Sequence, residues 1–406
     1  MTNIKIQEVD FCYKDSINGQ ITFGNYEPTG IVSLKDGALI ISSKFSISFP
    51  EQYQMPDRLT NEYFERQKIF AEKSHISSGS VFMLNGNLEK QWEVIFKERR
   101  VEKIKKLSDE SIIAVGESVD MKFFWIAKIN RQGEIIYNKS YKFKRRPNIE
   151  NIEIDSLNNL YILLSTEKIQ PIRITKHYGK KRINFFKETV MEDDIYLLKL
   201  TPSGRIKWKT VIDKRKNFSA YGNNLIIGKD IYLSTSYEGF IKENKEWCKK
   251  EGGNIYQLSE EGKILNVYQN ENKSIYLLGN KLIFLSRVGN DTLHLYQKEK
   301  SAIKLVETIV FKKIEKQFFT EKSLSAEYNN YIIGTNNHNL GCIVIEFDKQ
   351  NKYTGYWEYD NSSFVDATIG SDNSIVLIAE NYSNLNPNNS SEKKHSIRLI
   401  IIDKKQ

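Results

Sequence analysis

The chain has 406 residues, 40% of them hydrophobic and 27% charged, with 7 prolines and 3 cysteines. That is ample apolar matter for one large core and too little proline for a proline-rich linker, so residues 1–406 read as a single domain. The formal net charge of +9 permits an acidic partner or nucleic acid, although a lysine-rich composition also accounts for it.

The opening stretch, MTNIKIQEVDFCYKD, carries no apolar run of signal-peptide length, and nowhere does the chain approach the length of a membrane-spanning helix. Cys12, Cys248 and Cys342 are odd in number and far apart. That is neither a disulfide framework nor a metal cluster, and it points to a reducing, cytoplasmic setting.

Residues 4–11, IKIQEVDF, read as a lone strand. After it, two signatures alternate along the chain. The first is a loosely apolar strand, a polar turn and a strongly apolar strand. It occurs at 30–43, 101–116, 149–164, 218–234, 275–286, 319–334 and 364–379. The turns fall at Asp36-Gly37, Ser108-Asp109, Leu157-Asn158-Asn159, Gly228-Lys229-Asp230, Gly279-Asn280, Asn329-Asn330 and Ser371-Asp372-Asn373, the residue types hairpins demand.

The second signature is a hairpin with an aromatic residue in its second strand. Residues 195–212, IYLLKLTPSGRIKWKTVI, show it best. Tyr196, Leu198 and Leu200 alternate with Leu197 and Lys199, the chain turns at Pro202-Ser203-Gly204, and Trp208 follows. Leu197 makes both faces partly apolar, as a sheet stacked between two neighbours requires. Copies place Gly86 before Trp92, Gly133 before Tyr137, Gly262 before Tyr268 and Asn351 before Trp357. The offset is four or six residues. Both are even, so the ring stays on one sheet face and is expected in the core between sheets.

Four strands per repeat and seven repeats predict an all-β chain, a single seven-bladed β-propeller of four-stranded antiparallel blades. The last repeat reaches only its third strand at 396–402. The orphan strand at 4–11 fits the vacant fourth place, so the two termini are expected to close the ring in one blade. Insertions at about 44–78, 166–193 and 237–253 fall between the second and third strands of their repeats, and a helix is predicted over 60–73 within the first. Asn381 to Lys394 form a further polar connection. Equivalent connections share one face of a propeller, so these insertions cluster in space.

The unit that runs through Gly204, Ile206 and Trp208 resembles bacterial PQQ-like repeats and related propeller repeats of the outer-membrane assembly lipoprotein type. The resemblance spans nearly the whole chain and implies the propeller fold alone. The fuller repeat pattern, vicinal cysteine pair and secretion signal of quinoprotein dehydrogenases are absent, so no cofactor is expected. The regular dipeptides of WD repeats are absent too.

No catalytic constellation stands out. The five histidines, His75, His177, His294, His338 and His395, show no metal-ligand spacing. Asp366 lies on an inner strand, where calcium-dependent lactonase-type propellers carry a ligand, but one carboxylate is not a site, and no metal is expected. The stretch that calls for explanation is 168–187, KIQPIRITKHYGKKRINFFK, which holds seven cations and no acid. Lys168, Arg173, Lys176, Tyr178, Lys180, Lys181, Arg182, Phe185, Phe186 and Lys187 are the expected partner-binding residues, basic for encounter and apolar for burial. The reading is a non-enzymatic protein-binding propeller, a subunit, inhibitor or sensor of a larger bacterial assembly, whose partner carries an acidic surface. Nucleic acid ranks second as partner, and no membrane is implied. The alternative is a lactonase- or lyase-like enzyme working at the central channel.

Overall fold

A computed structural model describes residues 3–9, 12–17, 20–48, 77–178, 181–215, 218–243, 246–270, 273–278, 281–288, 292–299, 302–310, 318–336, 341–360, 362–381 and 396–403. They form seven antiparallel sheets, six of four strands and one of five. The protein is a seven-bladed β-propeller. The third blade illustrates the unit: Arg146–Ile154 lines the centre, followed outward by Leu160–Tyr178, Lys181–Leu200 and Ile206–Lys214.

The double apolar character of these strands has a direct cause. Leu164, Leu198 and Leu200 pack against Val115, Phe124 and Ile126 of the preceding blade. Leu163 and Leu197, on the opposite face of the same sheet, pack with Leu225, Leu233 and Tyr256 of the following one. Each sheet is thus buried on both sides, and the core is a ring of inter-blade layers.

Ring closure follows the expected route. Asn3–Val9 pairs antiparallel with Ser396–Asp403, with Ile4 opposite Ile402 and Val9 opposite Ile397. Asn3–Val9 thus becomes the outer strand of the seventh sheet and covers the edge that Ser396–Asp403 would otherwise expose. The helix predicted over 60–73, the turn at Gly279-Asn280 and residues 382–394 lie outside the described residues. Among the described residues no helix is long and apolar enough to cross a membrane. The sixth blade turns at 326–329, with Asn330 already opening the next strand.

Most turns share one geometry. In the third blade the Thr201 amide donates to the Arg205 carbonyl at 2.8 Å and the Gly204 amide to the Thr201 carbonyl at 2.8 Å, with Gly204 at φ 80°. Gly133 and Gly262 hold the same left-handed position. In the first blade that position belongs to Leu88, at φ 63°, and not to Gly86. The Asn85 side chain accepts from the amides of Asn87 and Glu89 at 3.0 and 2.9 Å, which holds the turn where glycine would have been easier. With Leu88 as the turn residue, Trp92 follows by four, just as Tyr137 follows Gly133 and Trp208 follows Gly204.

These rings are half-buried at the outer rim rather than in the core. Trp92 Nε1 donates to the Arg131 carbonyl of the next blade's turn at 2.8 Å, Tyr137 to Pro202 at 3.0 Å, and Trp208 to Glu260 at 3.2 Å. A Cβ on Gly133 would stand 2.8 Å from the Trp92 ring. The turn glycine therefore both adopts positive φ and receives the aromatic of the preceding blade. Tyr268 and Trp357 are half-buried against inter-blade clusters in the same way. Trp125 is fully buried, packed on Phe96 at 4.5 Å between ring centroids.

Candidate interaction face and central channel

Second-to-third-strand connections lie on one face of the ring, and three blades extend there. In the first, Gln20–Ser33 and Leu39–Ser48 run on together past the blade body, with Phe23 opposite Ser48. Cys12–Ile17 adds a fifth strand at the inner edge of that extension. In the fourth, Ile231–Glu243 and Glu246–Leu258 form a hairpin paired out to Glu243 opposite Glu246.

Among the described residues the third blade carries the longest paired extension. Its central two strands remain paired from Leu160 opposite Leu200 to Tyr178 opposite Lys181. Their neighbours stop early: Arg146–Ile154 pairs no further than Glu167, and Ile206–Lys214 no further than Asp194. Beyond those points a two-stranded ribbon continues for roughly 35 Å, at about 3.3 Å per residue. The insertion read at 166–193 is thus paired strand, and both ribbon edges are unpaired among the described residues. Lys168, Arg173, Lys176 and Tyr178 lie on one strand; Lys181, Arg182, Phe185, Phe186 and Lys187 lie on the other. Lys180, at the tip, lies outside the described residues.

Register sorts these residues by face. Arg173 is directly opposite Lys187, flanked on that face by Pro171 opposite Thr189 and Thr175 opposite Phe185. From Ile169 opposite Met191 outward to Thr175, this face carries no carboxylate. Ile172, Ile174 and Phe186 share the other face with Glu188. Nearer the tip, His177 faces Arg182 and Tyr178 faces Lys181, after an irregularity in pairing. Like charges placed directly opposite one another destabilise a strand pair.

The central channel is a cavity of about 560 Å³ lined by the inner strands of all seven blades. Several of those strands carry a β-bulge that breaks period two. The extra residue is Glu102 in the second blade, Glu150 in the third, Glu321 in the sixth and Val365 in the seventh. A bulge re-aims neighbouring side chains, and such features gather near functional sites. In the sequence their trace is adjacent polar pairs, Glu102-Lys103, Glu150-Asn151 and Glu321-Lys322, where strict alternation would space them. Period-two alternation alone does not single these pairs out.

Asp366 does face the channel, but it is engaged by protein. One oxygen accepts from the Ile31 amide of the first blade at 3.0 Å, and the other is ion-paired with Lys322. Burial works to raise its pKa, yet the Lys322 ammonium and the Ile31 amide hold it below the ordinary carboxylate range. Among the described residues no three His, Cys, Asp or Glu side chains converge as a metal site.

The Asp366 bond belongs to a recurring device. Glu117 accepts from the Ile149 amide of the next blade at 2.8 Å, and Asp193 accepts from the Ala220 amide of the next blade at 3.1 Å. Burial, with Glu102 nearby, pushes the Glu117 carboxyl up to about 7. Burial pushes Asp193 up to about 6, against the pull of the Ala220 amide.

No family profile matches the chain, and no curated protein does. Solved structures do match. The Dos1 propeller gives a TM-score of 0.50 at 8% identity, over 98% of this chain and 95% of its own. PQQ-bound aldose sugar dehydrogenase from Streptomyces coelicolor gives 0.39 at 9% identity, over 74% of this chain and 93% of its own. Luciferin-regenerating enzyme gives 0.37 at 11% identity, over 73% and 94%. At these identities the likeness is one of fold. It agrees with the propeller resemblance read from the repeats.

Proposed function

We propose that the protein is a non-enzymatic binding propeller that docks an acidic protein surface through its insertion-bearing face, with the ribbon at 168–187 as principal contact. The observation that carries this is Arg173 opposite Lys187 on a ribbon face without a carboxylate. Cations placed opposite one another on a strand pair call for counter-charge. A partner's carboxylates supply it, and a basic surface also speeds encounter with an acidic one. Ile172, Ile174 and Phe186 on the opposite face supply the apolar area that a buried interface centre needs. Cys248 is a free thiol, which suits a reducing, cytoplasmic compartment. The partner is a component of a larger bacterial assembly, which this propeller joins, senses or inhibits.

The test reverses Lys180, Lys181 and Arg182 to Glu and compares wild type and variant as bait in host lysate, at low and raised salt. The expected result is an acidic protein held by wild type, released by salt and lost by the variant, with an unchanged unfolding midpoint. A partner retained by the variant at wild-type affinity places the interface elsewhere on the ring. Capture that disappears on nuclease treatment assigns the ribbon to nucleic acid instead.

A further inference from the structure

Two outer turns of the propeller are close copies whose second residue differs. In the first blade, Asn85 Oδ1 accepts from the amides of Asn87 and Glu89 at 3.0 and 2.9 Å, and its Nδ2 donates to the Glu89 carboxylate at 2.9 Å. In the second blade, Asn130 Oδ1 accepts from the amides of Gln132 and Glu134 at 3.0 and 2.8 Å, and its Nδ2 donates to the Glu134 carboxylate at 2.7 Å. The next residue is Gly86 in one turn and Arg131 in the other. Arg131 is bulky and held in place: its side chain pairs with Asp36 and Glu110, and its carbonyl accepts from Trp92. Gly86 is exposed, and a Cβ added to it would meet nothing within 4 Å. Among the described residues its amide donates to no acceptor.

This arrangement supplies what cyclic imide formation needs. The nucleophile is the Gly86 nitrogen, which has no side chain beside it. The electrophile is the Asn85 side-chain carbonyl, polarised by two backbone amides. The same amides stabilise the negative charge that develops on Oδ1 as the nitrogen adds, as an oxyanion hole does. The fold also has room for the product. Asp155 in the third blade and Asp348 in the sixth hold the same place in their own turns. Asp155 accepts from the amides of Leu157 and Asn159 at 3.0 and 2.8 Å, and Asp348 from those of Gln350 and Lys352 at 2.9 and 2.8 Å. An aspartate can thus replace Asn85 as the acceptor that shapes the turn.

We infer that Asn85 is a self-modification site, which deamidates in the folded protein by attack of the Gly86 nitrogen. A bond forms between that nitrogen and Asn85 Cγ, the Cγ–Nδ2 bond breaks, and ammonia leaves with the proton that Gly86 gives up. Water then opens the cyclic imide. Addition at Cγ yields aspartate, and addition at the main-chain carbonyl yields isoaspartate, which lengthens the main chain by a carbon. The aspartyl product keeps the turn. It also places a second carboxylate beside Glu89 and removes the donor that bonded it, so the outer rim of the first blade gains negative charge. Asn18-Gly19, the other Asn-Gly pair of the chain, lies outside the described residues. This inference is independent of the ribbon and of the proposed function.

The experiment incubates the purified full chain in mildly alkaline buffer made with heavy-oxygen water, and follows the peptides that contain Asn85 and Asn130 by mass spectrometry. The two sites are compared within one molecule, so the main readout needs no variant. The expected result is exchange of the Asn85 amide nitrogen for heavy oxygen about tenfold or more faster than at Asn130, slowed by a similar factor in Gly86→Ala. Asn85→Asp should unfold at a midpoint close to wild type, whereas Asn85→Ala, which lacks the acceptor, should unfold earlier. Equal rates at Asn85 and Asn130 overturn the inference, as does wild-type conversion in Gly86→Ala or no conversion at Asn85. A midpoint for Asn85→Asp as low as that of Asn85→Ala overturns the claim that the aspartyl product keeps the turn.

Discussion

At the scale of single residues, the bonds that join one blade to the next are made by carboxylates as much as by apolar contact. Glu117, Asp193 and Asp366 each reach across a blade boundary to a backbone amide that the inner-strand ladder leaves unmet. Glu117 has the consequence easiest to measure. Its folded carboxyl titrates at about 7, against an ordinary value of about 4.3, because burial and Glu102 outweigh the Ile149 amide, Arg146 and Lys44. The folded state then holds the proton more tightly than the unfolded state. The Glu117 contribution to stability is greatest below the ordinary carboxyl range and is lost as pH rises through it to about 7, by at most about 4 kcal/mol. Glu117→Gln keeps an oxygen for the Ile149 amide and removes the titration. Chemical denaturation at about pH 5 and about pH 8 should show a shallower loss in the variant, with Asp193 supplying a smaller remaining slope. An unchanged slope would assign the pH dependence to other groups. Residue-level reading of sequence was weakest at the turns: Gly86 looked like the left-handed residue, but Asn85 shapes that turn by side-chain hydrogen bonds and places Leu88 there.

At the scale of elements, alternation made the strands legible because burial on both faces leaves a strong apolar signature. The orphan strand and the incomplete last repeat likewise located the closure. Asn3–Val9 completes the seventh blade, so deleting residues 1–9 should expose the edge of Ser396–Asp403. Stability should fall by several kcal/mol, on the order expected for losing a whole strand, and self-association should rise. An unfolding midpoint equal to wild type would contradict the closure. The inner-strand bulges were harder to foresee, because an inserted residue looks like a flaw in alternation until pairing reveals it. In the sequence the ribbon looks like a basic insertion rather than paired strands, since its charges interrupt the period that its apolar residues keep. Register resolves it: Arg173 and Lys187, fourteen apart in sequence, become direct neighbours. Lysines on open edges also deter strand addition, but that role gives no reason for Ile172, Ile174 and Phe186 among them.

At the scale of the whole molecule, inter-blade apolar layers and aromatic rings seated on the turns of the next blade hold the ring together. On the insertion-bearing face the third-blade ribbon stands beyond its blade, with Arg173 opposite Lys187. Among the described residues neither edge of the ribbon pairs with another strand, so the blade's four-stranded sheet does not depend on it. Glu167 is already opposite Asp193, and joining them by an Asn-Gly turn in place of residues 168–192 makes an ordinary two-residue hairpin. The decisive measurement compares this shortened chain with wild type for capture of the acidic partner from host lysate at low salt. The predicted result is an unfolding midpoint close to wild type together with loss of the partner. Retention of the same partner at wild-type affinity by the shortened chain would contradict the assignment of binding to the ribbon.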